Sequence, residues 1–545
     1  MAGSAYVFAV LLLTNLLSSW EAFADQPHSA ESLEQVHVLH HAPPPRSLYR
    51  ASGSERRYGR APGDTRPNFV IFFPDETRAE SIGAYGHPFV RTPNLDSLAQ
   101  QGTLFKQAHV LHTQCAPSRC AIITGRYMHV LGHRTQNHLV QDYEPNYFRL
   151  LKDSGYHVLW HGKNDMFSQT AFNLSVSDWD GTIGVPAGQN AFKFGEPGYY
   201  SFKFNGSIEE PNSTDIGDYN AVVKTLDFIN NKPPEPFIVF LPGIGSHPPY
   251  GAPKGFHDMY SAEQVHSQAP LRPPNQPNKP KYHTGIIKYR ELESFNQTFF
   301  EEINAIYLGQ VSYVDWVLGQ LVQGIDKSPL ADSTSIFVSS DHGDFSGDYN
   351  LVEKWPGAMD DILTRVPMIV RIPGGKAGQV IEQPINSFDM METIADMANV
   401  NVSHIRFAKS FLAQLHGSPG DSNRTVYSEG GFLYHREIET FDPEHDATKD
   451  PHNLYYPRRG EEANEGVPRA VMAKNMDYKL VFRADGVSEF YALKEDPREL
   501  TNMYDNVKYQ EVRDTMLMDL LDWFVKTGDV TPLAEDPRGA PKPPH

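Results

Sequence analysis

The sequence predicts an α/β protein with a large, mostly parallel central sheet flanked by helices and a smaller C-terminal α+β domain. Up to about residue 420, short apolar runs that suit strands buried on both faces alternate with helical segments, an order typical of a parallel sheet. Beyond that point the pattern changes to short strands separated by turn signals, followed by one amphipathic helix. Hydrophobic residues make up 40% of the 545 positions, which is enough for a large core.

Five apolar runs are predicted to form the central strands. The first, at 69–73, is a continuous apolar stretch that ends at Pro74. The other four lie at 157–160, 237–241, 335–340 and 367–372. Between the first two runs, Thr92 and Pro93 mark the start of a helix and Gly102 marks its end.

The C-terminal part is predicted to hold a small sheet and a terminal helix. Strand signals occur at 469–472, 478–482 and 489–492. The helix is predicted over 508–526, where apolar residues recur on one stripe. We therefore expect a main domain over 67–420, a C-terminal subdomain over 421–530 and a Pro-rich tail over 531–545.

The N-terminus is predicted to be a signal peptide over residues 1–24. An apolar run at 6–19 is too short for a confident membrane span, and a small-x-small cleavage pattern follows it. Because no Lys or Arg precedes this run, a signal anchor is the alternative. Residues 25–66 are predicted to be a flexible leader. No later stretch is apolar enough to span a bilayer, so we expect no membrane span in the mature chain.

Composition limits the cellular compartments and the classes of partner that fit this chain. The chain has 48 Lys and Arg against 67 Asp and Glu, and its net charge of −19 argues against a nucleic-acid partner. Two cysteines, Cys115 and Cys120, are too few for a disulfide-stapled fold. Six Asn-x-Ser/Thr sites favour a secretory route, to an extracellular or lysosomal destination. They lie at Asn173, Asn205, Asn212, Asn296, Asn401 and Asn423.

The run CAPSRCAIITGR at 115–126 carries the strongest chemical signal. Pro117 suits the first turn of a helix, which places Cys115 at the helix N-terminus. There the free N–H groups and the positive end of the helix dipole favour an anion. Arg119 lies one turn further on the same side and offers a planar fork for a tetrahedral oxyanion.

This run resembles the signature of type I sulfatases, C-x-P-x-R followed, after four intervening residues, by T-G-R. The resemblance implies an alkaline-phosphatase/sulfatase-like core. It also implies that a formylglycine-generating enzyme converts Cys115 to formylglycine in the endoplasmic reticulum, and that the hydrated aldehyde is the nucleophile. A bridge between Cys115 and Cys120 would block this chemistry, so we expect none. The resemblance covers roughly residues 66–420 and the run at 493–502, which is similar to a D-P-x-E-x-x-N turn of family members.

Two acidic motifs that follow predicted strands indicate a divalent cation. Asp75 and Glu76 come directly after the first strand, and Asp341 and His342 follow the strand at 335–340. Acidic residues at the carboxyl ends of strands are well placed to hold a cation. By resemblance, these four residues and the modified Cys115 bind Ca²⁺. Glu76 stands where family members often have Asp, and a nitrogen ligand is unusual for Ca²⁺, so Mg²⁺ and Mn²⁺ are alternatives.

Three further motifs supply the other catalytic residues that the resemblance implies. Lys163 and Lys354 would contact the sulfate oxygens together with Arg119. His247, in Ser246-His247-Pro248-Pro249, would protonate the leaving alcohol, because His titrates near working pH.

One position departs from the family pattern. Asp165 stands where the resemblance leads us to expect His, so the proton-handling role of that residue is open. His129 and His133 are the alternatives that the sequence offers for it.

The resemblance predicts a sulfuric ester hydrolase that releases inorganic sulfate from an aryl or carbohydrate sulfate. Two alternatives are a phosphate or phosphonate monoester hydrolase on the same fold and a catalytically inactive secreted binding protein. A Thr or Ser nucleophile would favour the first alternative, whereas Asp165 in place of His favours the second. Residues 168–215, 243–300 and 430–466 are predicted to shape the substrate pocket, and the net charge disfavours a long anionic polysaccharide.

Overall fold

The computed structural model describes residues 59–60, 63–181, 188–207, 209–274, 276, 278–280, 282–431, 469–484 and 486–531. The predicted signal peptide, almost all of the predicted leader and nearly all of the Pro-rich tail lie outside the described residues, as does most of the loop predicted at 430–466. Among the helices that are described, none is both long and apolar enough to cross a membrane.

The described residues form seventeen strands and thirteen α-helices, numbered in chain order. The strands are β1 (Gly59–Arg60), β2 (Asn68–Phe72), β3 (Thr103–Phe105), β4 (Ala108–His109), β5 (His157–His161), β6 (Asp178–Asp180), β7 (Pro234–Glu235), β8 (Phe237–Leu241), β9 (Thr334–Ser339), β10 (Arg365–Val366), β11 (Met368–Arg371), β12 (Gln379–Ile381), β13 (Ile385–Asn386), β14 (Val426–Gly430), β15 (Ala470–Lys474), β16 (Tyr478–Arg483) and β17 (Glu489–Ala492). The helices are α1 (Pro93–Gln101), α2 (Cys115–Thr124), α3 (Met128–Leu131), α4 (Tyr147–Asp153), α5 (Gln169–Ser175), α6 (Gly217–Asn230), α7 (Ala262–Gln268), α8 (Tyr282–Tyr289), α9 (Gln297–Asp326), α10 (Asp361–Thr364), α11 (Asp389–Met397), α12 (Leu412–Leu415) and α13 (Gln510–Thr527).

Eight strands form the central sheet, in the order β12-β3-β11-β9-β2-β8-β5-β6. Seven of these eight run in one direction, and β11 runs antiparallel to both of its neighbours. The prediction of a mostly parallel sheet is therefore confirmed. All five predicted strands are present, each within one residue of the predicted bounds. The sequence prediction missed β3, β6 and β12, which are three residues long and too short to show a period.

Both faces of the sheet are covered, which explains the continuous apolar runs. In β2, Phe69 and Ile71 pack into one core cluster, whereas Val70 and Phe72 pack into another on the opposite face. The long helix α9 lies against α1, α6 and α7 within the second cluster. Helices α2, α4 and α11 contribute to the first cluster. The helix that carries Cys115 therefore belongs to a fully buried layer.

Helix α1 begins and ends where the sequence predicts, with Pro93 in its first turn and Gly102 after its last residue. Thr92 occupies the N-cap position, but its hydroxyl makes no capping bond to the helix. Instead it accepts from the Gly83 amide at 2.8 Å and donates to Asp96 at 3.1 Å. Thr92 thus occupies the predicted cap position, but its hydroxyl does not cap the helix. It connects the preceding turn at Gly83 to Asp96 of the helix.

The C-terminal residues form a four-stranded antiparallel sheet, β14 to β17, and helix α13. The three predicted strands and the helix are present, and β14 is an additional strand. The buried side chains Met516, Leu520 and Trp523 of α13 join the core cluster of the first sheet face. A domain boundary at residue 420 stays a prediction.

The D-P-x-E-x-x-N run closes this C-terminal part with buried polar groups. Glu499, only 2% exposed, accepts from Lys479 Nζ at 2.6 Å and from the Asp361 amide at 3.2 Å. The Asn502 side chain accepts from the Phe490 amide at 3.0 Å. These bonds connect the turn at 496–502 to both the small sheet and α10. The motif therefore has a structural role.

Candidate active site

Cys115 is the first residue of helix α2 and is 3% exposed. Gly125, with φ 68°, ends the helix in the left-handed conformation that favours glycine. The Ala116 amide in the first turn donates to Gln136 Oε1 at 3.0 Å, whereas the N-cap residue Gln114 makes no side-chain capping bond. A loop twenty residues further along the chain thus caps the helix. The predicted position of Cys115 at the N-terminus of this helix is confirmed.

Arg119 holds the helix against the carboxyl ends of two neighbouring parallel strands, β2 and β9. Its Nε donates to Asp341 Oδ2 at 2.8 Å, and its Nη2 donates to Asp75 Oδ2 at 3.0 Å. All three side chains are fully buried. The Ser118 hydroxyl adds a bond to the Asp341 carbonyl at 2.7 Å. Arg119 Nη1 is buried and has no hydrogen-bond partner among the described residues, so it can donate to a bound anion.

Three of the predicted metal ligands, Asp75, Asp341 and His342, lie around the sulfur of Cys115, itself a predicted ligand. Asp75 Oδ1 is 3.6 Å from Sγ, and His342 Nε2 is 3.3 Å from it. One ligand atom each of Asp75, Cys115, Asp341 and His342 lies within 4.8 Å of the others. The two strand ends therefore bring these residues together as the sequence predicts.

Glu76 belongs to a second, overlapping group with Asp75, Cys115 and His247, again within 4.8 Å. Its backbone is left-handed, with φ 57°, a strained conformation for a residue other than glycine and one that clusters at functional sites. Glu76 Oε2 is buried and receives no hydrogen bond from an N–H group or hydroxyl of the described residues, and its one polar neighbour of note is the carboxyl of Asp344. An orphaned carboxylate oxygen beside three other ligand groups fits a bound cation.

Two lysines approach these acids from different segments. Lys163 Nζ lies 2.6 Å from Asp75 Oδ2 and 2.9 Å from Asp165 Oδ2. Asp165 is therefore a neighbour of the site, paired with Lys163 and partly exposed.

Lys354 is held by three groups of the site. It forms a short contact with Glu76 Oε1, and its Nζ lies 3.0 Å from Glu353 Oε1 and 3.1 Å from His247 Nε2. His247 Nδ1 lies 2.5 Å from the Pro248 carbonyl, which can only accept, so Nδ1 carries a proton. The other ring nitrogen of His247 thus faces Lys354 and Glu76.

Burial and the neighbouring charges set the protonation states. Burial would raise the pKa of Asp75, but the Lys163 ammonium and the Arg119 guanidinium outweigh it and hold this pKa well below its ordinary value. Burial raises the pKa of the Cys115 thiol well above its ordinary value, and the Asp75 carboxylate adds to the rise. Burial lowers the pKa of His247 well below its ordinary value, and Lys354 lowers it further. An unmodified Cys115 is thus a protonated thiol, a poor nucleophile.

His129 and His133 do not join the site. His129 Nδ1 lies 2.7 Å from Glu429 Oε1, and its Nε2 lies 2.9 Å from the Thr527 carbonyl. His133 Nδ1 lies 2.8 Å from the His138 carbonyl, and its Nε2 lies 3.2 Å from Glu144 Oε1. Both ring nitrogens of each histidine are occupied at other places, so neither is suited to replace the missing family His.

Sequence reasoning missed two residues that support the site. Asp344 borders Glu76, and burial raises the pKa of both carboxyls. Glu353 contacts Lys354 and accepts from Arg290 at 2.7 Å. Their adjacency to His342 and Lys354 in the chain was the available signal, but an acidic residue beside a motif is most often solvated. Cys120 is buried, and neither cysteine forms a disulfide, as expected.

Comparison with known families identifies the class. The Sulfatase family model matches residues 67–400, and the model of the N-sulphoglucosamine sulphohydrolase C-terminal region matches residues 357–526. Because the first match spans more than half of the chain, the chain belongs to the sulfatase family. It is an enzyme that hydrolyses sulfate esters or related monoesters.

Individual relatives agree in sequence and in fold. The arylsulfatase of Clostridium perfringens (strain 13 / Type A) is 23% identical over 479 residues, which cover 82% of this chain and 92% of that protein. The phosphonate monoester hydrolase of Agrobacterium radiobacter aligns with a TM-score of 0.68 at 18% identity, over 85% of this chain and 96% of that one. A protein solved with its substrate D-glucosamine-2-N,6-O-disulfate aligns with a TM-score of 0.61 at 18% identity, over 85% and 98% of the two chains. The fold is that of alkaline phosphatases and sulfatases.

Proposed function

We propose that this chain hydrolyses sulfate monoesters through a formylglycine formed from Cys115. The observation that carries the proposal is the surroundings of Cys115, the first residue of α2. The orphaned Nη1 of Arg119 and the ammonium groups of Lys163 and Lys354 supply positive charge close enough to act on one sulfuryl group. A maturation enzyme that generates formylglycine is the implied partner, since a buried, protonated thiol is a poor nucleophile.

In this scheme residue 115 attacks sulfur in line through one hydroxyl of its hydrated aldehyde, and the proton of that hydroxyl passes to the Asp75 carboxylate beside it. The bond between sulfur and the alcohol oxygen breaks, and the leaving oxygen takes a proton from His247 Nε2, the ring nitrogen that faces the site. Lys354, 3.1 Å from that nitrogen, is placed to supply the proton to it. The second hydroxyl of residue 115 then gives its proton through His247 Nε2 back to Lys354, the bond between residue 115 and the sulfate oxygen breaks, and the aldehyde is restored. Arg119 and Lys163 neutralise charge on the sulfuryl oxygens throughout, and Lys354 does so while it holds its proton.

A divalent cation completes the proposed site. Asp75, Asp341, His342 and residue 115 would hold it, with Glu76 contributing from the second group. The orphaned Glu76 Oε2 supports this assignment. We propose Ca²⁺ by resemblance, with Mg²⁺ and Mn²⁺ as alternatives because a nitrogen ligand is present. When bound, such an ion supplies charge stabilisation to the sulfuryl oxygens.

A sulfated saccharide or an aryl sulfate is the proposed substrate. The relative named arylsulfatase and the neighbour solved with a disulfated glucosamine support these two classes. A phosphonate monoester is the second candidate, because the same cations would bind any tetrahedral oxyanion and the fold is shared with a phosphonate monoester hydrolase.

A substrate panel tests the proposal. We expect the purified chain, produced in a host that makes formylglycine, to hydrolyse 4-nitrophenyl sulfate and a sulfated glucosamine faster than phenyl phosphonate esters. Faster turnover of the phosphonate would favour the second candidate. No turnover of any ester by protein that carries the modification and a divalent cation would favour an inactive binding protein.

We also propose a secretory route, with an extracellular or lysosomal destination. All six sequon asparagines lie on the exposed surface of the described residues, where a glycan can be attached. Expression in animal cells followed by glycosidase treatment should shift the mass of each sequon peptide. Unmodified peptides at all six positions would contradict this route.

A further inference from the structure

We propose that Tyr250 is a positioning residue that holds His247 and Lys354 in register with the strand end carrying His342. Tyr250 is fully buried. Its hydroxyl donates to Asp344 Oδ1 at 2.7 Å and accepts from the Glu353 amide at 2.7 Å. The inference rests on the proposed function, in which His247 and Lys354 act on the substrate.

The segment that Tyr250 closes has an unfavourable backbone. Between Asp344 and Glu353, four residues other than glycine have left-handed φ values: Ser346 (35°), Tyr349 (59°), Asn350 (59°) and Glu353 (61°). Such conformations are unfavourable for residues other than glycine and persist only where surrounding bonds enforce them. The Phe345 amide donates to the Glu353 carbonyl at 2.9 Å, so the segment is a closed loop. Tyr250 adds a bond from outside to each of its two ends.

Both ends of this loop carry groups of the proposed site. His342 lies two residues before Asp344, and Lys354 directly follows Glu353. Tyr250 itself lies three residues after His247 in the chain. One hydroxyl therefore connects the three segments that carry His342, Lys354 and His247.

The chain segment just before Tyr250 is itself fixed in place by hydrogen bonds to helix α9. Gln310 of α9 donates to the carbonyls of His247 and Pro249, at 3.3 and 3.1 Å. The segment that carries His247 is thus fixed to α9. Through its bonds to Asp344 and Glu353, the Tyr250 hydroxyl then fixes the loop relative to this segment. Small displacements of catalytic groups of about 1 Å can reduce rates by about 100-fold.

A matched pair of tyrosine variants tests the proposal. Tyr250→Phe removes the hydroxyl and keeps the ring. Tyr260→Phe is the control, because the Tyr260 hydroxyl is also buried, accepts from a backbone amide (Arg91, 2.7 Å) and lies 2.7 Å from a side-chain oxygen (Ser312). We expect similar losses in melting temperature for both variants. For 4-nitrophenyl sulfate, we expect kcat to fall by about 10- to 100-fold in Tyr250→Phe, more than KM rises, and to stay within about twofold in Tyr260→Phe.

An unchanged kcat in Tyr250→Phe, or equal kinetic losses in both variants, would overturn the positioning role. Hydrogen exchange at the Glu353 amide of the wild-type protein provides a measurement that depends neither on activity nor on the folding of a variant. We expect slow exchange in the wild-type protein, and unprotected exchange there would also overturn the proposal. The proposed function and the role of Tyr250 can fail separately. Suppose that the wild-type protein hydrolyses no monoester, while its Glu353 amide is protected and that protection is lost in Tyr250→Phe but not in Tyr260→Phe. The proposed function then fails, and the bond made by Tyr250 stands.

Discussion

Cys115 is the residue on which the proposed chemistry depends, and Cys120 provides its natural control. Both cysteines are buried on α2, but Cys120 Sγ lies 3.5 Å from the Met166 carbonyl, in the core cluster behind the site. We expect Cys115→Ala to reduce kcat for an aryl sulfate by at least about 10⁴-fold, because the nucleophile is removed. Cys120→Ala should keep kcat within a few-fold and lose only some stability. Comparable activity in the two variants would refute the nucleophile assignment.

At the same scale, sequence reasoning located the charged groups but not all of their partners. The nine site residues predicted from the motifs lie together, because the ends of β2 and β9 and the start of α2 meet at one edge of the sheet. Glu76 was predicted in a single ligand set, yet its carboxylate faces Lys354 and His247. Glu76 also has a left-handed backbone, and a residue pattern reveals neither this conformation nor these contacts.

At the scale of elements, the end of the nucleophile helix is a sensitive position. Gly125 ends α2 and Gly132 ends α3, both with left-handed φ values of 68° and 81°. A Cβ at Gly125 would lie 2.8 Å from the Tyr147 hydroxyl and 2.9 Å from Arg406 Cβ, whereas a Cβ at Gly132 would meet nothing within 4 Å.

We therefore expect Gly125→Ala to lower the free energy of unfolding by about 2–3 kcal/mol and Gly132→Ala by about 1 kcal/mol. Both variants lose the conformational freedom of glycine, and only the first also meets neighbouring atoms. Urea titrations of the two variants measure the difference directly. Equal losses would show that packing behind α2 is looser than described.

Elements with strong local signals were predicted well, and elements defined by distant contacts were not. The run at 237–241 became β8 without any change of bounds. By contrast, Gln136 caps α2 from another loop, and Tyr250 bonds to Asp344 across 94 positions of sequence. Such pairings depend on the folded chain and leave no periodic trace.

At the scale of the whole molecule, a buried carboxylate ties the chain after α2 to the C-terminal sheet. Glu429 of β14 contacts His129 at 2.7 Å and Arg134 at 2.8 Å. Burial would raise the pKa of Glu429, but the bond from His129 and the charge of Arg134 outweigh it and lower this pKa to about 2.

A carboxyl whose pKa is depressed on folding stabilises the protein above its unfolded value of about 4.5, and this stabilisation is lost as pH falls towards 2. We expect Glu429→Gln to lower the free energy of unfolding by about 3 kcal/mol at pH 7, with the gap to wild type shrinking between pH 4.5 and 2. Thermal unfolding of both proteins over this pH range measures the gap, with Glu210→Gln, at an exposed position, as the control. A gap that does not change with pH would contradict the assignment.

The central claim is that residue 115 is a formylglycine in the working enzyme. The most direct measurement is mass spectrometry of the tryptic peptide at 107–119, purified from a host that makes formylglycine, together with the sulfatase activity of the same sample. We expect loss of the sulfur of Cys115 and a carbonyl that reacts with hydrazide, in proportion to activity across preparations. An intact thiol in fully active protein would contradict the claim.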